Sequence, residues 1–352
     1  MKKLLLSILV FLSPVFATAA QFNFVALGDT AYNLPRDLPA YEELIGKINA
    51  AEPEFSIHVG DIWGAMKCTE ESYHWIKTWF DKYQHPVVYT PGDNEWTDCR
   101  KPEIIDAYIR IVTGKGSDDD KKLIGGARTF DNAIKGTSFA DTLAALANIR
   151  KIYFGKPESL GKNTMPVIRQ SDVSPFTDMQ ENLRWQKEDV VFATVHVPGS
   201  DMNFTINDET RAMDAIRRNE ADVAWIKAVF ANAIKEDAKA VVLSIHASLF
   251  VDGKGDDFSN LALRGGAGGP YYWIAWAIRE QSEKFGKPVL LINGDFHEFV
   301  IDQPFMVSQG EDKPPKYNNI TRLQVFGAPE LKAVQVGVDT ATPWVFSFSP
   351  LY

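Results

Sequence analysis

The sequence predicts an α/β protein with parallel strands, and two observations support this prediction. Short apolar runs that end in Gly-Asp or in histidine alternate with stretches whose apolar residues recur at helical spacing. The order strand, helix, strand, helix, strand in the N-terminal part requires parallel strands covered by helices. A length of 352 residues and a hydrophobic content of 45% are sufficient for one large domain.

The N-terminal part contains three predicted strands and two predicted helices. Each strand is an apolar run that ends before an acidic turn, and each helix has apolar residues three and four positions apart. Parallel strands in this order bring their acidic turns to one edge of a sheet. The predicted strands are residues 22–27, 55–59 and 86–90, and the predicted helices are residues 38–51 and 70–83.

The C-terminal half repeats this pattern and then changes to a run of strands that we expect to be antiparallel. Residues 113–185 are less regular, and we interpret them as an insertion beside the site. Because no internal repeat or linker is visible, we predict a single domain over residues 20–352. The further predicted strands are 190–197, 240–245, 289–293, 298–301, 321–326 and 333–338, and the further helices are 221–235 and 271–285.

Residues 1–19 have the pattern of a secretory signal peptide. Two lysines precede the apolar run 4–16, and Ala17-Thr18-Ala19 supplies the small-residue cleavage motif. The mature chain would then begin at Ala20 and be periplasmic or secreted in a bacterium. The alternative is an uncleaved N-terminal anchor.

The charge of the chain limits its partners. The signal contains two lysines and no acidic residue, so its removal changes the net charge from −9 to −11. An acidic protein repels polyanions, and nucleic acid is therefore not expected as a partner. A small phosphorylated substrate remains compatible, because a bound metal ion can outweigh the distant field. We expect no membrane association after signal cleavage, and no sequence feature specifies an oligomeric state.

Two cysteines, Cys68 and Cys99, are present. In an oxidising compartment such a pair favours a disulfide, and two unrelated free thiols are the alternative. Each cysteine lies a few residues beyond an acidic turn, so a bridge would tie two site loops together.

Five candidate ligands follow predicted strands: Asp29, Asp61, Asn94, His246 and His297. Because the carboxyl ends of strands meet at the ligand crevice of an open α/β sheet, we expect these side chains to converge. Oxygen and nitrogen ligands without thiolate favour ions such as Mn, Fe or Zn. The residues therefore predict a site for two divalent or trivalent metal ions.

In their order along the chain, these motifs resemble those of the calcineurin-like metallophosphoesterase superfamily, which includes purple acid phosphatases. The likeness is greatest to a branch of secreted bacterial members. It implies a four-layer α/β/β/α sandwich with two central mixed sheets. It also implies that Asp61 bridges two metals, that Asp29 and His297 bind one, and that Asn94 and His246 bind the other. The matching motifs are Gly28-Asp29, Gly60-Asp61, Gly92-Asp93-Asn94-Glu95, His246 and Gly294-Asp295-Phe296-His297.

The chain departs from the family pattern GNH(D/E) and GHxH at two residues. We read Glu95 in place of the histidine of the first motif and Asp295 in place of the first histidine of the second. Glu95 could act as the general acid if burial raised its pKa, and otherwise His196 or a metal-bound water would serve. His196 could also be a supporting or purely structural residue. Asp295 can bind a hard metal as a carboxylate.

Other side chains near these turns have two interpretations each. Tyr32 could reach the metal site or pack as an aromatic, and Trp63 and Trp96 could line the substrate pocket or pack in the core. Arg100 and Arg264 could bind phosphate or be surface residues.

These observations predict a secreted dinuclear-metal phosphoesterase in which a metal-activated hydroxide attacks the ester. A monoester is favoured and a diester is possible. The candidate catalytic residues are Asp61, Asn94, Glu95 and His196. The alternative is a periplasmic protein of the same fold that binds metal or phosphate and has lost catalysis.

Overall fold

The computed structural model describes residues 20–64, 67–99, 102–123, 141–250, 269–309 and 315–352. The predicted signal peptide, Arg100 and Arg264 lie outside the described residues. Within the described ranges, no helix combines the length and the apolar character needed to cross a membrane.

A five-stranded sheet is built around the first strand. β1 (Gln21–Leu27) pairs in parallel with β2 (Ser56–His58), which pairs in parallel with β3 (Val87–Tyr89). On its other side, β1 pairs antiparallel with β11 (Ala333–Asp339), and β11 pairs antiparallel with the edge strand β12 (Val345–Leu351). The carboxyl ends of β1, β2 and β3 therefore lie at the same edge.

A seven-stranded sheet has the order β4-β5-β6-β7-β8-β10-β9. The central strands β6, β7, β8 and β10 are parallel to one another. On one side β9 pairs antiparallel with β10, and on the other β5 pairs antiparallel with β6 and β4 with β5. The strands are β4 (Ile168–Arg169), β5 (Leu183–Lys187), β6 (Val190–Thr194), β7 (Ala240–Ser244), β8 (Val289–Asn293), β9 (Val300–Asp302) and β10 (Ile320–Gln324).

The C-terminal strands β9 and β10 pair antiparallel as predicted, but β10 also has a parallel neighbour that was not predicted. This strand inserts between β8 and β9 and runs parallel to β8. Its residues are almost all buried, as expected for a strand with a neighbour on each side, whereas β9 is partly exposed at the edge. The prediction holds for β9 and for β11, which belongs to the five-stranded sheet.

Eight helices are found within the described ranges. The predicted helix 221–235 begins earlier, at Glu209, where the Asp208 side chain caps it by accepting a hydrogen bond from Arg211 N. The helices are α1 (Leu38–Ala50), α2 (Glu70–Phe80), α3 (Pro102–Val112), α4 (Asp118–Leu123), α5 (Thr142–Tyr153), α6 (Gln170–Val173), α7 (Glu209–Lys235) and α8 (Tyr272–Phe285).

The two sheets pack face to face. Phe24 of β1 lies edge-on to Phe192 of β6 with ring centroids 5.5 Å apart. On the outer face of the five-stranded sheet, Phe80 of α2 contacts Tyr89 of β3. A second buried cluster joins α7 and α8 to the outer face of the seven-stranded sheet. The layers are therefore helix, sheet, sheet and helix, and the predicted α/β/β/α sandwich with two mixed sheets is confirmed.

The segment 113–185 is more regular than expected. It contains α4, α5, α6, β4 and part of β5, and the two strands extend the seven-stranded sheet. In α5, Tyr153 donates from its hydroxyl to Tyr73 O of α2 at 2.9 Å, which holds this helix against the outer layer.

Candidate metal centre

The turns after β1, β2, β3, β7 and β8 meet where the two sheets face each other. Asp29 N donates to Gly60 O at 3.0 Å, which joins the first two turns. Gly294 N donates to His246 O at 2.9 Å, which joins the turns of the seven-stranded sheet. Asp295 N donates to the Asp29 carboxylate at 2.9 Å and links one sheet to the other. The convergence expected from strand order is thus present.

Two overlapping groups of ligand atoms form at this junction. The first contains Asp29, Asp61 and His246, and the second contains Asp93, His246 and Asp295; within each group, ligand atoms lie within 4.8 Å of one another. His246 Nε2 lies 3.5 Å from Asp61 Oδ1 and 3.3 Å from Asp93 Oδ1. These distances suit side chains that surround a cation.

Backbone carbonyls orient both imidazoles. His246 Nδ1 lies 2.7 Å from Val59 O, and His297 Nδ1 lies 2.9 Å from Ala328 O. Because a carbonyl only accepts, each Nδ1 carries a proton, and Nε2 is the nitrogen that is available to a metal ion. His297 Nε2 lies 3.6 Å from Asp29 Oδ1, so both Nε2 atoms face the carboxylates.

The electrostatics of the junction are those of a cation site. Asp29 Oδ2 and His246 Nε2 are buried and have no hydrogen-bond partner among the described residues. Burial raises the pKa of Asp29 to about 8, against the opposing charge of His246. Burial alone would lower the pKa of His246, but the charges of Asp61 and its neighbours raise it well above its usual value. A cation would stabilise these crowded carboxylates, and carboxylates with imidazoles fit a divalent metal.

Two glycines allow the ligand carboxylates to approach the backbone closely. A Cβ atom at Gly92 would overlap the Asp61 carboxylate, and one at Gly294 would overlap the Asp29 carboxylate. The Gly-Asp pairing in the sequence therefore reflects contact between turns: each of these glycines makes room for the aspartate of another turn.

Asp93, which is not among the five predicted ligands, lies beside His246, whereas Asn94 lies beside Asp61. Asn94 Nδ2 donates to Asp61 Oδ2 and to the Tyr32 hydroxyl, both at 2.6 Å, and Asn94 N donates to Asp61 Oδ1 at 3.1 Å. The motif Gly-Asp-Asn-Glu offers two adjacent oxygen ligands, Asp93 and Asn94. If the asparagine of the family motif GNH(D/E) is aligned with Asp93 instead of Asn94, the predicted ligand is Asp93.

Glu95 is fully buried and accepts three hydrogen bonds from the backbone. Its carboxylate receives Asp61 N at 3.1 Å, Ile62 N at 2.7 Å and Gly92 N at 2.9 Å. Burial raises its pKa, although the bonds from Ile62 and Asp61 oppose that shift. Both oxygens are thus engaged in holding the turn after β2 against the turn after β3.

His196 lies behind the junction. Its Nδ1 is 2.9 Å from Glu181 Oε1, and Glu181 in turn pairs with Arg150 at 2.6 Å. The ring contacts that of Trp96 at a centroid distance of 5.4 Å. Burial lowers the pKa of His196, against the influence of Glu181. No contact described for this side chain joins it to either ligand group.

The aromatic residues near the turns differ in their positions. The Tyr32 hydroxyl donates to Asp61 Oδ2 at 2.7 Å, and its ring lies edge-on to His297 at 4.6 Å. Tyr32 therefore reaches the junction. Trp63 stacks on Trp75 of α2 at 4.5 Å, and Trp96 is fully buried, so both tryptophans pack against the protein.

Cys68 and Cys99 form the predicted disulfide, with their Cα atoms 5.6 Å apart. Cys68 follows the turn of Asp61 and Cys99 follows the turn of Asp93. The bridge therefore ties these two turns together, beside the contacts that Glu95 makes.

The backbone at the junction is locally strained. Asp29, Asp61 and Asp295 have φ angles of 48°, 52° and 79°, in the left-handed region that side chains other than glycine rarely adopt. Residues 200–203 form a left-handed turn, in which four consecutive residues have positive φ. Its Ser200 hydroxyl donates to Asp93 Oδ2 at 2.8 Å. Such strain is typical of functional sites.

The chain is similar to a number of solved structures, and three of them are the following. A dimetal phosphatase from Danio rerio is 9% identical, with a TM-score of 0.47 and coverage of 94% of this chain and 98% of that one. PhoD is 12% identical, with a TM-score of 0.49 and coverage of 93% and 65%. GAP50, described as the anchor in the inner membrane complex of Plasmodium, is 10% identical, with a TM-score of 0.41 and coverage of 94% and 88%.

No protein-family model and no curated protein sequence matches the chain. Sequence identities of 9–12% with TM-scores below 0.5 carry no information on activity.

Proposed function

We propose that this protein is an exported phosphoesterase that hydrolyses a small phosphate ester with two bound metal ions. The observation that carries the proposal is the junction between the sheets, where two carboxylate–imidazole groups overlap. There the buried atoms Asp29 Oδ2 and His246 Nε2 have no hydrogen-bond partner in the part of the chain that the structure describes. The signal-like residues 1–19 and the disulfide support export.

The ligand assignment combines the contacts at the junction with the ligand pattern that the family resemblance implies. Asp29, Asp61 and His297 would hold one ion, and Asp61 would be shared with the second. The second ion would be held by Asp93, His246 and Asp295, with Asp93 in place of the Asn94 inferred from the sequence. When bound, two such ions supply Lewis acidity and a hydroxide nucleophile.

The remaining residues would orient the substrate and the ligands. Asn94 Nδ2 and the Tyr32 hydroxyl both donate to Asp61 Oδ2, so they would orient this shared ligand at the point where the substrate enters. Glu95 would hold the two turns in register, a positioning role in place of the general-acid role considered from the sequence. His196 would support the wall behind them through Trp96.

The proposal is tested with chelator-treated protein reloaded with Mn²⁺, Fe or Zn²⁺. Hydrolysis of an aryl phosphate monoester and of the matching diester is compared with that of Asp61→Asn. The matched control is Asp119→Asn, which makes the same chemical change at a residue whose side chain is 93% exposed. We expect turnover in the wild type and the control, and a loss of about 10²-fold or more in Asp61→Asn.

A second candidate function is metal or phosphate binding without catalysis. It is favoured by Glu95, whose carboxylate is engaged with the backbone and leaves no evident general acid at the junction. Stoichiometric metal content with no turnover of either ester would favour this candidate over the hydrolase.

A further inference from the structure

The two halves of the proposed metal centre differ in their ligand chemistry. Asp93, Asp295 and His246 form one ligand group beside β8, and Asp61 lies 3.5 Å from His246 Nε2, so the first position would have three carboxylates and one imidazole. On the other side, Asp29, His297 and the shared Asp61 would form the second position, with two carboxylates and one imidazole. The first position therefore has one carboxylate more than the second.

The carboxylates of this position are held in place by donors outside it. Asp93 Oδ2 accepts from the Ser200 hydroxyl at 2.8 Å, and Asp93 Oδ1 faces His246 Nε2 at 3.3 Å. Asp295 Oδ2 accepts from Ser248 N at 3.1 Å. A donor outside the position therefore holds each aspartate, which favours a defined geometry around an ion.

The same position contains a buried polar atom that points to a ligand. His246 is fully buried, and its Nε2 has no hydrogen-bond partner among the described residues although it lies between two carboxylates. Its Nδ1 is fixed by Val59 O, so Nε2 is directed at the position and a metal ion would satisfy it.

From these contacts we infer that the position formed by Asp93, His246 and Asp295 is adapted to a hard divalent ion such as Mn²⁺ or Mg²⁺. Oxygen-rich ligand sets favour Mg²⁺ and Mn²⁺, whereas imidazole favours Zn²⁺. In absolute terms Zn²⁺ binds most sites more tightly than Mn²⁺. The inference is therefore that the ratio of Zn²⁺ to Mn²⁺ affinity is low at this position. It rests on the proposed metal centre and specifies its cofactor.

The test measures binding and does not depend on activity. Chelator-treated protein is titrated with Mn²⁺, Mg²⁺ and Zn²⁺ by calorimetry, and bound Mn²⁺ is followed by electron paramagnetic resonance. In Asp295→His, an imidazole replaces a carboxylate, and we expect the ratio of Zn²⁺ to Mn²⁺ affinity to rise about tenfold or more. Asp93→Asn removes a charge without adding nitrogen, and we expect it to weaken Mn²⁺ binding.

A matched exchange at the other position is the control. In His297→Asp the ratio should fall, because the carboxylate replaces an imidazole there. A ratio that is unchanged in Asp295→His, with Mn²⁺ binding also unchanged in Asp93→Asn, would overturn the inference while leaving the metal centre intact. Wild-type protein that binds none of the three ions would overturn the proposed function as well. Asp93→Asn also provides the test if Asp295→His fails to fold.

Discussion

Glu95 shows how one side chain can organise the candidate site without touching a substrate. Its buried carboxylate accepts from the backbone of Asp61, Ile62 and Gly92, which belong to two different turns. A carboxylate can accept at both oxygens, whereas an amide offers only one acceptor. The charge and the shape of Glu95 are therefore both needed in this position.

Replacing Glu95 by glutamine should destabilise the protein. The amide nitrogen would face a backbone N–H, most directly that of Ile62, and the loss of one buried hydrogen bond costs about 1–3 kcal/mol. Urea unfolding monitored by circular dichroism would measure the change. Unaltered stability together with lost ester hydrolysis would instead indicate a general-acid role for Glu95.

His85 should make stability depend on pH. Burial lowers its pKa from 6.5 to about 4, and its Nε2 lies 2.7 Å from the Ser56 hydroxyl. Between these two values the unfolded chain binds more protons than the folded protein, so stability falls as the pH is lowered from 6.5 towards 4. NMR titration of the ring would measure the pKa. In His85→Gln, the loss of stability between pH 7 and pH 5 should be smaller than in the wild type.

For the individual residues of the site, the sequence indicated the types of ligand better than their exact positions. Asp29, Asp61, His246 and Asp295 lie at the junction as expected, because each follows a clearly apolar strand. The choice between Asp93 and Asn94 depends on which way two adjacent side chains point after β3. That direction is set by tertiary contacts with Asp61 and His246, and no local pattern reports it.

The disulfide links two elements that carry ligands. It closes a loop with a sequence separation of 31 residues between the segments that follow β2 and β3. In the chain-entropy description, such a loop stabilises the folded state by about 3–4 kcal/mol. We expect the double variant Cys68→Ser/Cys99→Ser to lose roughly that amount in urea unfolding. An unchanged unfolding midpoint, in the variant or after reduction of the wild type, would contradict this expectation.

Helices and strands with a regular apolar pattern were predicted from the sequence, whereas the pairing of strands in the sheets was not. β1, α1, β8 and α8 begin and end within a residue of their predicted bounds, since their apolar runs and helical spacing are clear in the sequence. The parallel pairing of β10 with β8 was missed because strand direction depends on the path of the chain between elements. The first half of α7 was missed because it is charged and lies mostly at the surface.

The centre joins the two halves of the whole molecule. Asp29 and Asp61 come from the five-stranded sheet, and His246 and Asp295 come from the seven-stranded sheet. A bound ion would therefore cross-link both sheets and stabilise the folded state as a whole. At a free ion concentration 100 times the dissociation constant, the gain is about 2.7 kcal/mol for each site.

Removal of metal should accordingly lower the melting temperature of the protein. Differential scanning calorimetry with and without a chelator would measure the change, with Mn²⁺ added back to restore it. Asp61→Asn removes a charge from the shared ligand and should reduce the response. An equal response in Asp61→Asn and the wild type would place the stabilising ion elsewhere in the molecule.

The four aspartates of the centre also set its charge balance. Asp29, Asp61, Asp93 and Asp295 bring four negative charges, so two divalent ions with this ligand set would sum to zero. A dianionic ester would then gain no long-range attraction from the loaded centre. It would still meet the remaining negative charge of the mature chain, which is −7 when the two divalent ions add +4 to −11. Added salt would screen that repulsion, so capture of an anionic ester should become faster, not slower, as ionic strength rises.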